Sequence, residues 1–382
     1  MRLRYGMNPH QAASVHVISG QQPVQVLSGS PSYINLLDAM NGWQLVREAA
    51  VATGLAAAAS FKHASPAGAA VSGPVDATAQ AAWCPGGNPG PLASAYIRAR
   101  DADPKSSYGD MIAVSEPVDA ELADVLAGVV ADGIIAPGYE AGTVNVLAAK
   151  KRGSFLVLEA DPDYRPPQRE RRDVFGLIIE QRRDSTELTA EILMVSAGSP
   201  LPPAAVRDAL LGLAVARYTQ SNSVAFLRDG ASVGIGAGQQ SRVDCVRLAA
   251  GKAAAWWLRR APAIQSLPSV PGMSRQDRLN WQIRIAEGDM TAGQLAQFGA
   301  LFPAAAAAMR QPERDAWLAR LDGVTMVSDG YLPFRDNVDY ASRIGVRYVI
   351  EPGGSIRSSE VTEACAEYGM TLVRTGLRLF HH

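Results

Sequence analysis

Cysteine is scarce: Cys84, Cys245 and Cys365 are the only three in 382 residues, far apart and without a C-x-x-C pair or a neighbouring histidine. That argues against a zinc site, and the three read as buried free thiols. Charge is sparing too, at 19% with a formal net charge of -1, so nothing marks a general nucleic-acid binder. The 47% of hydrophobic residues is a globular composition without the signature of disorder. No stretch reaches the roughly 20 apolar residues that span a bilayer. Met1-Arg2-Leu3-Arg4-Tyr5 has no apolar run behind its charges, so no membrane partner is expected and the cytoplasm is the expected location.

A chain of this length exceeds one ordinary domain, and two units sharing an extended core are expected. Short β-branched runs alternate with Ala/Leu-rich helical stretches, which predicts an α/β fold with helices flanking sheets. Residues 34–50 set Leu36, Leu37, Met40, Trp43, Leu45 and Val46 at helical spacing, with Ser32 or Asn35 available as the cap. Stretch 83–91, and the run to Gly142 that carries Pro137-Gly138 after a short apolar strand at 133–136, are rich in turn residues and read as loops. The polar, proline-rich run 160–167 is the best boundary. Beyond it the pattern predicts a strand at 174–179, a helix near 206–217, a hairpin turning at Asp229-Gly230, a helix near 240–260 and a proline-broken helical region to about 319. The chain then closes as strand, helix, strand: 347–350, a helix capped by Ser358 or Ser359 and stopped at Gly369, and 371–375, which implies a parallel pair.

Lys62-His63 ends an alanine-rich run and leads into Ser65-Pro66, a strand end of the kind where sites of open α/β sheets collect. An ammonium beside an imidazole favours the neutral, proton-accepting form, which casts His63 as a base and Lys62 as a stabiliser of negative charge. The plainer alternative is a hydrogen-bonded turn residue beside a solvated lysine. The passage from Gly234 to Arg242, spaced G-x-G-x-G, is not the dinucleotide fingerprint. It could hold an anion on bare N–H groups and Arg242, or be a tight packing turn. Residues 351–357 form a second loop entering a helix, open to the same two readings. Arg4, His10, Arg98, Arg100, Lys105, Arg335 and Arg378 lie in loop-like or terminal sequence and could meet a phosphate if they converge.

Taken in order, several stretches resemble the AICAR transformylase domain, the formyltransferase part of the bifunctional purine enzyme that also carries IMP cyclohydrolase. They are Arg4-Tyr5-Gly6-Met7-Asn8-Pro9-His10-Gln11, 60–68 with Lys62-His63, Ser107-Tyr108-Gly109-Asp110 and Asp132-Gly133-Ile134-Ile135-Ala136-Pro137-Gly138-Tyr139. Further on come Gln220-Ser221-Asn222-Ser223-Val224, the 234–242 passage, Pro333-Phe334-Arg335-Asp336-Asn337 and Leu377-Arg378-Leu379-Phe380-His381-His382. The resemblance covers nearly the whole chain. It implies two cytidine-deaminase-like three-layer α/β/α units, 1–165 and 166–382, with a helical insertion at about 255–320 in the second.

The implied reaction moves a formyl group from the co-substrate 10-formyltetrahydrofolate to the 5-amino group of AICAR in purine biosynthesis. By the same resemblance His63 accepts the proton of the attacking amine, while Lys62 and Asn222 steady the tetrahedral intermediate. Arg4, Tyr5, His63, Gly109, Asp132, Asn222, Arg242, Tyr331, Arg378 and Phe380 surround the nucleotide. Asp336, Phe334, Ser355 and Ile356 face the folate. No catalytic metal is expected, since the deaminase signature H-x-E with P-C-x-x-C is missing, and there is room for a monovalent cation. The family's sites form between the subunits of a homodimer. The chain begins at the transformylase motif, so ring closure to IMP is expected of a separate cyclohydrolase. Two departures stand out: Tyr331 replaces a common Phe, and 351–357 keeps only its Pro-x-Gly-Ser core. Two other readings stay open: a regulatory nucleotide-binding protein that has lost the chemistry, and a transferase using another formyl-folate or a related aminoimidazole.

Overall fold

The computed structural model describes residues 1–18, 20–84, 87–303 and 311–382. Residues 85–86 of the expected loop at 83–91, and 304–310 of the helical region, lie outside the described residues.

The first half of the chain forms β1 (Val24–Ser28), α1 (Tyr33–Thr53), β2 (Ala57–Lys62), β3 (Ser65–Val71), α2 (Ala77–Trp83), α3 (Pro91–Ala102), β4 (Asp110–Val114), α4 (Ala120–Ala127), β5 (Ala131–Ala136), α5 (Thr143–Ala148) and β6 (Leu156–Ala160). A hairpin follows, β7 (Arg169–Val174) and β8 (Leu177–Arg182). The second half runs β9 (Met194–Ala197), α6 (Pro203–Arg217), β10 (Val224–Arg228), β11 (Ala231–Gly236), α7 (Arg242–Leu258), α8 (Pro262–Gln265), α9 (Arg275–Glu287), α10 (Ala292–Leu301) and α11 (Gln311–Leu318). It ends with β12 (Val324–Ser328), α12 (Asp336–Ser342), β13 (Val346–Glu351), α13 (Ser358–Glu367) and β14 (Thr371–Arg374).

Among the described residues, twelve strands make one mixed sheet in the order β1-β6-β5-β4-β2-β3-β11-β10-β12-β13-β14-β9. The two halves of that order are copies. Reading outward from the centre, β3-β2-β4-β5-β6-β1 and β11-β10-β12-β13-β14-β9 each pair antiparallel, antiparallel, parallel, parallel, antiparallel. The copies meet where β3 runs antiparallel to β11, with Ala70 opposite Ala231.

Helices cover both faces, so strand residues are apolar whichever way they point. In β2, Ala57, Ala59 and Phe61 pack into the core under α1 and α6, while Ala58 turns to the opposite core under α3 and α4. The central strands carry glycine where helices press closest. A Cβ at Gly68 would overlap the Ala99 carbonyl of α3, and one at Gly234 or Gly236 would overlap α7 backbone at Ala249 or Cys245. Two glycines of the 234–242 passage therefore serve packing, the plainer of the two readings. α1 starts at Ser32, whose hydroxyl accepts from the Asn35 N–H while the Asn35 side chain accepts from Ser32, a reciprocal cap contributing about 1 kcal/mol.

Several expectations are corrected. The run 174–179 is not one strand, because Phe175 and Gly176 take left-handed backbone (φ 51° and 80°) and turn β7 back as β8. Neither Ser358 nor Ser359 caps α13: Arg357 occupies the cap position, and the Ser358 hydroxyl donates to the Ser355 carbonyl at 2.7 Å. Arg98 and Arg100 sit in α3, not in loops, and are buried because each finds partners, Arg98 the Val71 carbonyl at 2.5 Å and Arg100 the Asp110 carboxylate at 3.0 Å. Arg335 is held by Asp339 and Glu367, and Lys105 by Glu287. Cys245 and Cys365 are buried, their thiols pushed up to about 11 and about 12 by burial, but Cys84 is only half-buried. Among the described residues, no helix is long and apolar enough to cross a membrane.

Candidate functional site

Lys62 and His63 stand at the tip of the hairpin joining β2 to β3. Both turn residues are left-handed, His63 at φ 56° and Ala64 at φ 60°, the backbone of a two-residue type I′ connection. Asp38, buried in α1, stabilises this conformation by accepting the Ala64 N–H at 2.6 Å. Burial pushes the Asp38 carboxyl up, and the turn N–H groups together with His63 pull it part of the way back. The Lys62 ammonium donates to the Tyr108 carbonyl at 2.6 Å, which brings Tyr108 and Gly109 beside the turn. Gly109 needs its φ of 76° to lead into β4. Asp132, on the neighbouring β5, is close enough to act on Asp38 and pairs with Lys151 at 2.6 Å.

The second half supplies the other wall. Ser65, just past the turn, accepts the Gln220 N–H at 3.2 Å and so joins the hairpin to the loop that carries Asn222. The Asn222 carboxamide is fully engaged: its nitrogen donates to the Gln239 and Gln240 carbonyls at 2.9 and 3.0 Å, and its oxygen accepts from Arg242 at 2.7 Å. Arg242, at the start of α7, also pairs with the buried Asp329. Asp329 accepts the Ser221 hydroxyl at 2.6 Å, and its carbonyl takes the Leu379 N–H at 2.8 Å, drawing in the C-terminal tail. Phe380 then lies near Arg242 and Arg378, 5.9 and 4.7 Å from ring centre to guanidinium. Gly330 is pressed between Arg242 and Phe380 and places Tyr331 at the same edge.

A third group adjoins these. Leu332 donates to the Glu351 carboxylate at 3.0 Å, tying the 331–336 loop to the loop after β13. Phe334 lies 5.1 Å from the Arg357 guanidinium, Asp336 opens α12, and Ser355 accepts the Arg357 N–H at 3.2 Å. Tyr331, Phe334, Ile356 and Phe380 are all exposed, an apolar edge suited to a ring system. Arg4 and Tyr5 lie at the start of α1, where the Arg4 N–H donates to the Pro31 carbonyl and the Tyr33 N–H to that of Tyr5.

A cavity of about 350 Å³ opens beside the turn, lined among others by Lys62, His63, Ser106, Ala237 and Lys252. Lys252 pairs with Asp103 at 3.0 Å; burial opposes the Asp103 charge, but Lys252 and Ser106 outweigh it and hold the carboxyl below its ordinary value. A larger cavity of about 950 Å³ lies between α1, the β7–β8 hairpin and the tail, and takes Arg378 and Phe380 into its wall. Among the described residues, no group of three or more His, Cys, Asp or Glu could hold a metal ion.

The model of one family, the AICARFT/IMPCHase bienzyme, matches residues 1–252. The chain belongs to that family. The bifunctional purine biosynthesis protein PurH of Dinoroseobacter shibae is 31% identical over 385 aligned positions, covering 100% of this chain and 59% of that protein. The PurH proteins of Cereibacter sphaeroides and Roseobacter denitrificans are 31% and 30% identical over the same extent. The chain thus spans about three fifths of the length of these relatives, consistent with their AICAR transformylase portion. Within the AICARFT/IMPCHase match fall the Lys62-His63 turn, Gly109, Asp132, Asn222 and Arg242; the relatives alone extend over Tyr331, Asp336, Ser355 and the tail.

Sequence reasoning passed over Asp38, Ser65, Lys252 and Asp329. Asp38 had a signal, being an acid inside an otherwise apolar helix stripe. Asp329 had none beyond its place five residues before Phe334, because its partners lie 87 and 108 positions away.

Proposed function

We propose that this chain transfers the formyl group of 10-formyltetrahydrofolate to the 5-amino group of AICAR, giving formyl-AICAR and tetrahydrofolate in purine biosynthesis. The observation that carries the reading is the junction of the Lys62-His63 turn with the Asn222 loop through Ser65 and Gln220. It sets an exposed imidazole beside an ammonium and an amide network. His63 accepts the proton the amine loses as it attacks. Lys62 has one ammonium proton on Tyr108 and two left for the developing oxyanion. Asn222 has both amide protons engaged, so it acts on the intermediate only after the bond to Gln239 or Gln240 opens.

In this reading Arg4, Tyr5, Gly109, Asp132, Arg242, Tyr331, Arg378 and Phe380 complete the nucleotide site, and Phe334, Asp336, Ser355 and Ile356 receive the folate. The exposed ring edge and the guanidiniums stacked on it support that division. The two halves are read as cytidine-deaminase-like units, 1–165 and 166–382, a division the repeated strand order supports. The working form is a homodimer in the cytoplasm with sites shared between subunits. Support for it is the β7–β8 hairpin, which among the described residues forms a two-stranded sheet of its own and exposes Phe175, Leu177, Ile178 and Ile179.

The test is AICAR-dependent release of tetrahydrofolate from 10-formyltetrahydrofolate, with the product analysed for formyl-AICAR and IMP. His63→Ala is expected to lower kcat by about 10²–10⁴-fold while AICAR binding by calorimetry persists. Near-parental turnover in that variant removes His63 as the base. AICAR binding without any turnover in the parent protein moves the reading to a regulatory nucleotide binder.

A further inference from the structure

The repeat lets the site be compared with its own counterpart. In each half the helix before the first hairpin carries Asp-Ala-x-x-Gly, from Asp38 to Gly42 in α1 and from Asp208 to Gly212 in α6, and each aspartate stands sixth in its helix. Both are buried, 5% and 2% exposed. Each accepts the N–H of the second turn residue of the following hairpin: Ala64 on Asp38 and Gly230 on Asp208, both at 2.6 Å. The two turns share a backbone, with Asp229 at φ 53° and Gly230 at φ 79° matching His63 and Ala64.

What differs is the turn sequence and the charge set against the carboxylate. Asp-Gly adopts this turn readily, whereas His-Ala does so only against a steric cost in both residues. Asp208 is met by Arg207 at 3.0 Å, and Arg98 closes over the turn by donating to the Asp229 carbonyl. At Asp38 the favourable charge comes from His63, opposed by Asp132. The same clamp therefore holds a plain turn filled with arginine in one half, and in the other an unfavourable turn that presents an imidazole.

We propose that Asp38 is the positioning residue of the site, clamping the His63-Ala64 turn in its left-handed form and so fixing where the His63 side chain stands. The use of His63 as a base rests on the formyl-transfer reading; the clamp of Asp38 on the turn stands on geometry of its own. The charged groups about His63 are Lys62 on the same turn, Asp38 from α1, Asp132 from β5, and Lys252 from α7 with its partner Asp103.

The experiment compares Asp38→Ala, which removes the acceptor, with Asp38→Asn, which keeps an oxygen for the Ala64 N–H. Asp38→Ala is expected to lower kcat at least about tenfold with the KM for AICAR within about twofold of the parent, and to speed hydrogen exchange of the Ala64 amide, while Asp38→Asn restores most of both. Asp208→Ala is expected to leave kcat unchanged. A folded Asp38→Ala protein whose Ala64 amide exchanges as in the parent overturns the proposal. A loosened amide with parental kcat upholds the clamp and removes His63 as the base, so the two readings fail separately. Should Asp38→Ala not fold, the parent protein decides: its Ala64 amide must be protected from exchange, and an amide that exchanges at the rate of an open loop overturns the proposal.

Discussion

Ala64 is the residue whose identity and backbone disagree most plainly. At φ 60° its Cβ crowds the following carbonyl, a conflict that costs about 1–2 kcal/mol and that glycine escapes. The counterpart position in the second half is Gly230. Ala64→Gly is therefore expected to stabilise the fold by about 1 kcal/mol, read as a higher urea midpoint at unchanged slope. Because glycine also loosens the turn between strokes of any reaction, kcat should fall while stability rises. Equal stability and equal turnover would mean that the turn is held by Asp38 so firmly that the side chain at 64 is irrelevant.

At the scale of elements the decisive contacts are helix against strand, where α3 and α7 lie over the central strands on glycine. In Gly234→Ala the new methyl would meet the Ala249 carbonyl and, at 2.8 Å, the Ala253 nitrogen, both main-chain atoms of α7 that cannot swing aside. Overpacking of this kind costs about 3 kcal/mol, and the urea midpoint should fall accordingly; a loss under about 1 kcal/mol would show that α7 slides freely on β11. These contacts also explain what the sequence could disclose. Helices α1, α6 and α7 and the Asp229-Gly230 hairpin were legible because their signals are local: apolar spacing, a cap, a turn pair. The turn at Phe175-Gly176 was hidden because apolar residues flank it on both sides, so the run reads as one strand. The Lys62-His63 pair was legible as a candidate, yet its hairpin was not, since His-Ala is a poor turn sequence and the clamp that enforces it sits 26 positions upstream in Asp38. Likewise the repeat of strand order leaves almost no trace in composition, because it is a property of pairing rather than of residues.

For the whole molecule, the open question is how an isolated two-stranded ribbon survives in water. The β7–β8 hairpin buries none of its tip, with Phe175 fully exposed and Leu177 and Ile178 at 67% and 70%. A hairpin of this length is marginal alone, and an apolar tip projecting into solvent favours association. If a second copy covers it, as the homodimer reading holds, a charge at the tip should act at a distance on both assembly and turnover. Phe175→Asp combined with Ile178→Asp is expected to shift the protein from dimer to monomer in size-exclusion chromatography with light scattering at micromolar concentration. Turnover should fall with it at least tenfold, since each shared site would lose its partner's residues, while the circular dichroism of the twelve-stranded core stays unchanged. A doubly charged variant that remains dimeric places the interface elsewhere. One that becomes monomeric yet retains full turnover leaves the dimer intact as a fact of assembly but makes each subunit's site complete in itself, with Lys62, His63 and the Asn222 network needing nothing from the partner.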